Sequence, residues 1–285
     1  MAAISASMVK ELRERTQLGM MDCKKALVEA EGDMDLAIEN LRKSSGMKAA
    51  KKAGRIANDG LLGFQMADDA SLGVMVEVNC ETDFAARDEN FVSFVNSVTD
   101  KVYASKQADV AVLLAEGLEV DREALVQKIG ENISIRRAEV YNSDSVYGYL
   151  HTNGRIGVLL SMEGGNEELG RDIAMHIAAT APLVIGPDDA PADVVAQERE
   201  IYTAQAQDSG KPPEIVEKMI DGRIRKYLAE ISLTEQPFVK DSDTKVGALL
   251  KKEGATVTSF VRYDVGEGID KEPDDFAAEV AAQLS

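Results

Sequence analysis

Asn79 to Arg87 reads N-C-E-T-D-F-A-A-R, and the residues on either side say what that string is for. Before it, Leu72, Val74, Val76, Val78 and Cys80 alternate with Gly73, Met75, Glu77 and Asn79. A period of two predicts a strand. After it, Phe91, Val95, Val98 and Val102 recur at steps of four, three and four, which predicts a helix with Asp88 as its N-cap. Thr82-Asp83-Phe84-Ala85 therefore lies on the turn between a buried strand and a helix. A turn held at both ends by rigid elements presents its side chains accurately. Local physics alone reads Asp83 as a helix cap and Phe84 as core.

The chain has 285 residues, enough for roughly two domains. No run approaches the roughly 20 apolar residues of a membrane helix, and the N-terminus lacks the apolar core of a secretory signal. Cys23 and Cys80 fit no metal-ligand spacing and read as small buried hydrophobes of a reducing compartment, so the expected location is the cytoplasm. The net charge of −18 repels phosphate backbones and argues against direct nucleic-acid binding by the bulk of the chain. The charge is uneven: residues 1–57 carry 11 Lys and Arg against 8 Asp and Glu, much of the excess falling between Arg42 and Arg55. That stretch reads either as a solvated linker or as a docking surface.

From the N-terminus, apolar spacing predicts three short helices, marked by Met8, Val9 and Leu12, by Cys23, Ala26 and Leu27, and by Leu36, Ala37 and Leu41. Ser5 or Ser7 caps the first, Gly32 stops the second and Asp33 caps the third. The bundle resembles a ubiquitin-associated-like module. Its loop at Met20-Met21 reads either as core filling or as an adaptable contact surface. Lys48 to Asp59 reads as a linker, followed by a strand at Leu61–Met66 and the strand already described. Val110, Leu113 and Leu114, then Leu125 and Ile129, mark a helical stretch broken at Gly117 and ended by Gly130; a strand follows from Ile133 to Tyr141.

A weak repeat lays Leu61–Val74 on Val146–Val158, each half reading strand, turn, strand, helix. The second half has Glu163-Gly164-Gly165 where the first has the T-D-F turn. Ala192 to about Ile231 is helical, interrupted by Asp208–Pro213, and folds back as a hairpin with an apolar stripe at Val216, Ile220, Ile224, Tyr227 and Ile231. Val246–Leu250 predicts a helix, Val257–Val265 a strand, and Phe276, Val280 and Leu284 a last helix. The expected fold is α+β: an N-terminal three-helix docking module with linker (1–56), a core N-subdomain (57–141), a related antiparallel sheet-plus-helix C-subdomain (142–182 and 232–272), an inserted antiparallel helical hairpin (183–231) and a C-terminal helix (273–285).

Bond-making machinery is missing from the pattern. No G-x-x-x-x-G-K-[ST] string occurs, and Gly266-x-Gly268 lacks the third glycine of a dinucleotide site. His176, on the Ile173–Ile177 helix face, reads as a satisfied helix histidine, and His151 sits in a turn between two strands. No enzyme activity, cofactor or metal is expected.

Several strings together resemble the bacterial translation elongation factor Ts family: V-N-C-E-T-D-F at Val78–Phe84, G-M-M-D-C-K-K-A-L at Gly19–Leu27, K-I-G-E-N-I at Lys128–Ile133, G-R-I-G-V-L at Gly154–Leu159 and F-V-R-Y-D-V-G-E-G at Phe260–Gly268. The resemblance implies a guanine-nucleotide exchange factor that binds the GTPase elongation factor Tu. It implies that Thr82, Asp83, Phe84 and Ala85 dislocate the partner's magnesium ion, with Phe84 as a wedge. It also implies partner contacts from Arg13, Met20, Met21, Ile129, Gly130, Asn132 and His151. His151 is followed by Thr152-Asn153-Gly154, where many members have glycine directly after the histidine. The hairpin is left to contact the GTPase, a second copy or another protein. A pure binding module is the alternative from another class; a nucleotide-using enzyme is disfavoured by the missing phosphate loop.

Overall fold

The computed structural model describes residues 4–16, 18–207 and 212–269. Of these, residues 4–65, 74–140 and 264–269 form one unit, and 66–73 and 141–263 form another.

The first unit opens with α1 (Ala6–Thr16), α2 (Met20–Glu29) and α3 (Met34–Lys52). Ser5 Oγ accepts from Met8 N at 3.3 Å and Asp33 Oδ1 from Leu36 N at 2.9 Å, so the expected caps open α1 and α3. Val9, Leu12, Cys23, Leu27, Ala37 and Leu41 form the bundle core. β1 (Asp59–Met66), β2 (Leu72–Cys80), the four-residue α4 (Asp83–Ala86) and α5 (Glu89–Ser105) follow. α6 (Val110–Leu113) and α7 (Glu119–Ile129) are separated by a turn in which Gly117 takes φ +114°, as read from the sequence. β3 (Ser134–Asn142) completes a sheet of order β1-β2-β3.

One expectation is corrected here. The stretch read as a linker from Lys48 is helical as far as Lys52. Alanine and lysine favour helix, and burial of Ser45 and Ala49 continues the face. Gly46 lies inside that helix with the Glu123 side chain of α7 beside it. β2 is the buried strand expected: as the central strand it is buried along all nine residues, Glu77 and Asn79 included.

The second unit contains β4 (Val146–Leu150) and β5 (Ile156–Glu163), antiparallel with Tyr147 opposite Leu160, then α8 (Glu167–Thr180), capped by Asn166. α9 (Ala192–Gln207) and α10 (Pro213–Ile231) make the helical hairpin. Ala206, Ile220 and Ile224 are its core, with Val195, Tyr202, Val216 and Leu228 packed on them, Leu228 taking the position read for Tyr227. The base is stitched by Leu183 N to Ile231 O at 2.8 Å and Thr234 N to Ile185 O at 2.9 Å. A short β6 (Pro237–Phe238) and β7 (Asp241–Lys245) pair, unanticipated from sequence, precedes α11 (Val246–Lys252) and β8 (Thr256–Asp264), the latter closing a sheet of order β4-β5-β8. Val158, Leu160, Ile173, Ile177, Leu233 and Val257 sit at the heart of this unit. The architecture is α+β with antiparallel sheets, as expected. The expected C-terminal helix, 273–285, lies outside the described residues. No described helix is long and apolar enough to cross a membrane.

Candidate functional site

β2 delivers the chain to the surface at Cys80, whose buried thiol donates to the carbonyl of Thr82 at 3.2 Å. Thr82 has extended backbone angles and caps α4: its Oγ1 accepts from Ala85 N at 3.2 Å. The cap is thus Thr82, with Asp83 one residue inside, where a carboxylate meets the unsatisfied N–H groups of a first turn. Asp83 Oδ2 accepts from Arg87 Nη2 at 2.8 Å, and both side chains are largely exposed.

Phe84 is 80% exposed while its neighbours Ala85 and Ala86 are buried. The core reading of this ring is wrong: one turn of helix buries its alanine side and turns the phenyl outward. After α4 the chain turns at once into α5, which Asp88 caps by accepting from Asn90 N at 2.8 Å. The Asn90 side-chain amide holds the Asp88 carboxyl below its usual range against the opposing effect of burial.

The loop is gripped from across the unit by the turn between α7 and β3. Gly130 ends α7 in the left-handed region at φ +90°. Directly after it, Glu131 Oε2 accepts from Glu81 N and Thr82 N, both at 3.0 Å, and its Oε1 accepts from Thr82 Oγ1 at 2.7 Å. The grip is returned: Glu81 Oε1 accepts from Asn132 N at 2.6 Å and from Arg55 Nη1 at 3.1 Å. Lys128 Nζ donates to Asn90 Oδ1, holding the start of α5 to the same turn.

The remaining candidates fall in several places. Met20 and Met21, at 59% and 75% exposed, open α2 and leave the bundle core to Cys23 and Leu27, so the core-filling reading of the pair is set aside. Arg13 is exposed on α1, Ile129 is half-buried and Gly130 is exposed. Asn132 is buried, and its amide donates to the carbonyl of Arg55 at 2.7 Å, so its side chain is committed within the unit. His151, in the second unit, is exposed in the β4–β5 turn, its ring edge-on to Tyr149 at 6.3 Å. His176 is the satisfied helix histidine expected, bonded to Gln236 and Val239.

Sequence reasoning missed Glu131, Glu81 and Arg55. Glu131 stands inside the K-I-G-E-N-I string, and its position immediately after a helix-ending glycine was the available signal. Among the described residues no group of three His, Cys, Asp or Glu side chains could hold a metal ion. The site is a rigid projection carrying an apolar ring, suited to pushing into another molecule.

A family model described as Elongation factor TS matches residues 81–267. The elongation factor Ts of Hahella chejuensis is 66% identical over 284 residues, covering 100% of this chain and 99% of that protein. That of Teredinibacter turnerae is 59% identical over 286 residues, covering 99% and 98%. That of Cellvibrio japonicus is 58% identical over 285 residues, covering 100% and 98%.

Proposed function

Because the chain belongs to the elongation factor Ts family and is a translation elongation factor, we propose that it exchanges guanine nucleotide on elongation factor Tu, with Phe84 as the group that enters the partner. The observation that carries this reading is a phenylalanine 80% exposed on a one-turn helix anchored at both ends. A single exposed apolar side chain needs no explanation by itself; what sets Phe84 apart is that the turn carrying it is held on one side by Glu131 and on the other by the Asp88 cap.

The logic is linkage. A factor that binds the nucleotide-free GTPase more tightly than the loaded one weakens nucleotide by the same ratio. Burying a phenylalanine is worth roughly 1.5–3 kcal/mol. Each tenfold in affinity takes about 1.4 kcal/mol, so one ring seated only in the nucleotide-free complex supplies roughly one to two powers of ten. Packed interiors have discrete arrangements, so an inserted ring moves an element of the partner as a unit. The partner's magnesium needs near-ideal octahedral geometry, and a small displacement of its surroundings is costly. Asp83 enters with its charge shared with Arg87, an exposed pair worth about 0–1 kcal/mol and therefore easily opened. Thr82 and Ala85 hold the turn.

Arg13, Met20, Met21, Ile129, Gly130 and His151 add partner contacts, and Asn132 contributes by holding Arg55. Linking two modest contacts makes the second effectively intramolecular. The chain makes and breaks no bonds of its own, and a role in translation places its work in the cytoplasm.

The test is stopped-flow release of fluorescent GDP from elongation factor Tu. Catalytic amounts of the chain should accelerate release, and Phe84→Ala should lose roughly tenfold or more of that acceleration. Equal rates for the substituted and original chains would remove Phe84 from the mechanism. Binding without acceleration would make the chain a scaffold.

A further inference from the structure

The outward direction of Phe84 needs a physical cause. The ring is exposed and gains no orientation from packing. α4 has four residues, too few to define its own axis firmly. The Asp83–Arg87 pair is exposed and weak. Burial of Ala85 and Ala86 turns the ring side of α4 outward, and the segment leading into α4 fixes the line it takes: two backbone N–H groups and the Thr82 side-chain hydroxyl end on a single carboxylate, that of Glu131.

We infer that Glu131 is the positioning residue of this loop: its carboxylate sets the line along which Thr82, Asp83 and Phe84 project. The inference rests on the reading in which Phe84 enters the partner. Glu131 comes from 49–50 residues further along the chain, so the contact is tertiary and cannot be replaced by local turn chemistry. Thr82 Oγ1 works as a relay. It donates its proton to Glu131 Oε1 and accepts from Ala85 N, so one hydroxyl locks both the approach to the loop and the first turn of α4. Charge-assisted bonds of this kind are stronger than neutral ones.

The clasp is also reciprocal, with the Asn132 N–H returning to Glu81. The same turn is tied to the end of α3 through Asn132 Nδ2 to Arg55 O and Lys52 Nζ to Gly130 O. The bundle bearing Met20 and Met21 and the loop bearing Phe84 are thereby fastened to one three-residue turn, Gly130-Glu131-Asn132. A displacement of about 1 Å in a positioned group costs up to a hundredfold in rate, so release of this clasp should be read in the rate and not in the docking.

The experiment measures the GDP-release rate from elongation factor Tu at saturating chain, and separately the Kd for nucleotide-free elongation factor Tu. Glu131→Ala should lower the saturating rate roughly tenfold and leave Kd near its original value. Glu131→Gln should recover most of the rate, because its amide oxygen accepts the two N–H groups and its NH2 reaches Thr82 Oγ1. The double variant Glu131→Ala with Phe84→Ala should be no slower than Phe84→Ala alone, since residues acting as one unit do not add. Thr82→Val, which removes only the relay, should slow release even if Glu131→Ala fails to fold. Multiplying defects in the double variant, or unaltered rates in the Glu131 and Thr82 variants beside a slow Phe84→Ala, would overturn the role of Glu131. A Phe84→Ala chain as fast as the original would instead overturn the reading of the loop itself.

Discussion

Gly266 donates its backbone N–H to Glu77 Oε1 at 2.8 Å, joining two residues 189 apart in sequence inside the first unit. Glu77 is fully buried in the central strand, and three side-chain groups converge on it with Gly266: Arg137 Nε at 2.6 Å, Arg136 Nη1 at 3.0 Å and Asn79 Nδ2 at 3.1 Å. Gly266 must be glycine there, since its φ is +80° and a Cβ would lie 2.2 Å from Asn58 O. Removing one member of a buried ionic group strands the others. Glu77→Ala should therefore destabilise the chain by about 3 kcal/mol, at the low end for such losses because the arginines keep some contact with water. Urea unfolding with linear extrapolation measures this, and a loss below about 1 kcal/mol would mean the carboxylate is dispensable.

Acid should act on the two units in separate pH windows. Burial alone would raise the Glu77 carboxyl, but the Gly266 N–H, the Asn79 amide and Arg137 outweigh it and hold it below its ordinary 4.5. A lowered folded value means that the unfolded chain takes the proton first, so this contribution is whole above pH 4.5 and is lost as pH falls through the folded value. His176 is lowered from 6.5, chiefly by burial, with the bond to Gln236 opposing. Val239 N donates to His176 Nδ1 at 3.2 Å, which leaves the ring proton on Nε2, facing Gln236 Oε1 at 3.0 Å. A second proton would set Nδ1–H against Val239 N–H. The unfolded chain accepts that proton below about pH 6.5 and the folded chain resists it, so stability falls on acidification in this window too. Thermal midpoints from pH 8 to 3 should show a shallow decline beginning near 6.5 and a steeper one below 4.5. His176→Gln should abolish the first and keep the second; persistence of the first in that variant would acquit His176.

Much of this was readable in order along the chain. The bounds of β2, the Asp33 and Asp88 caps and the breaks at Gly117 and Gly130 follow from local periodicity and capping chemistry, which need no knowledge of distant residues. Glu77 shows where that stops. Nothing local names the partners of this buried carboxylate, because its arginines lie 59 and 60 residues away and Gly266 farther still. The helical end of α3 was hidden because alanine, glycine and lysine suit a linker as well as a helix end, and the burial of Ala49 that decides between them depends on distant residues. Phe84 was legible only through resemblance, since local physics prefers a buried phenylalanine. Glu131 escaped because a single glutamate after a glycine carries no periodic signal.

Met20 and Met21 separate contact from stability within one helix. Both open α2 and are mostly exposed, whereas Leu27, seven and six residues on, is fully buried in the bundle core. Methionine at an exposed helix start makes few internal contacts, so Met20→Ala with Met21→Ala should shift stability by no more than about 0.5 kcal/mol. Leu27→Ala should cost about 2–5 kcal/mol through the cavity it leaves. The double methionine variant should nevertheless bind nucleotide-free elongation factor Tu at least tenfold more weakly, because burying two such side chains is worth roughly 3 kcal/mol or more. It should also keep the full saturating rate of GDP release, since the Glu131 clasp and Phe84 are untouched. Calorimetry for binding and stopped flow for rate distinguish these effects. If the methionine pair lowered the saturating rate as much as Phe84→Ala, docking and displacement would not be separable, and the bundle would have to take part in the exchange step itself.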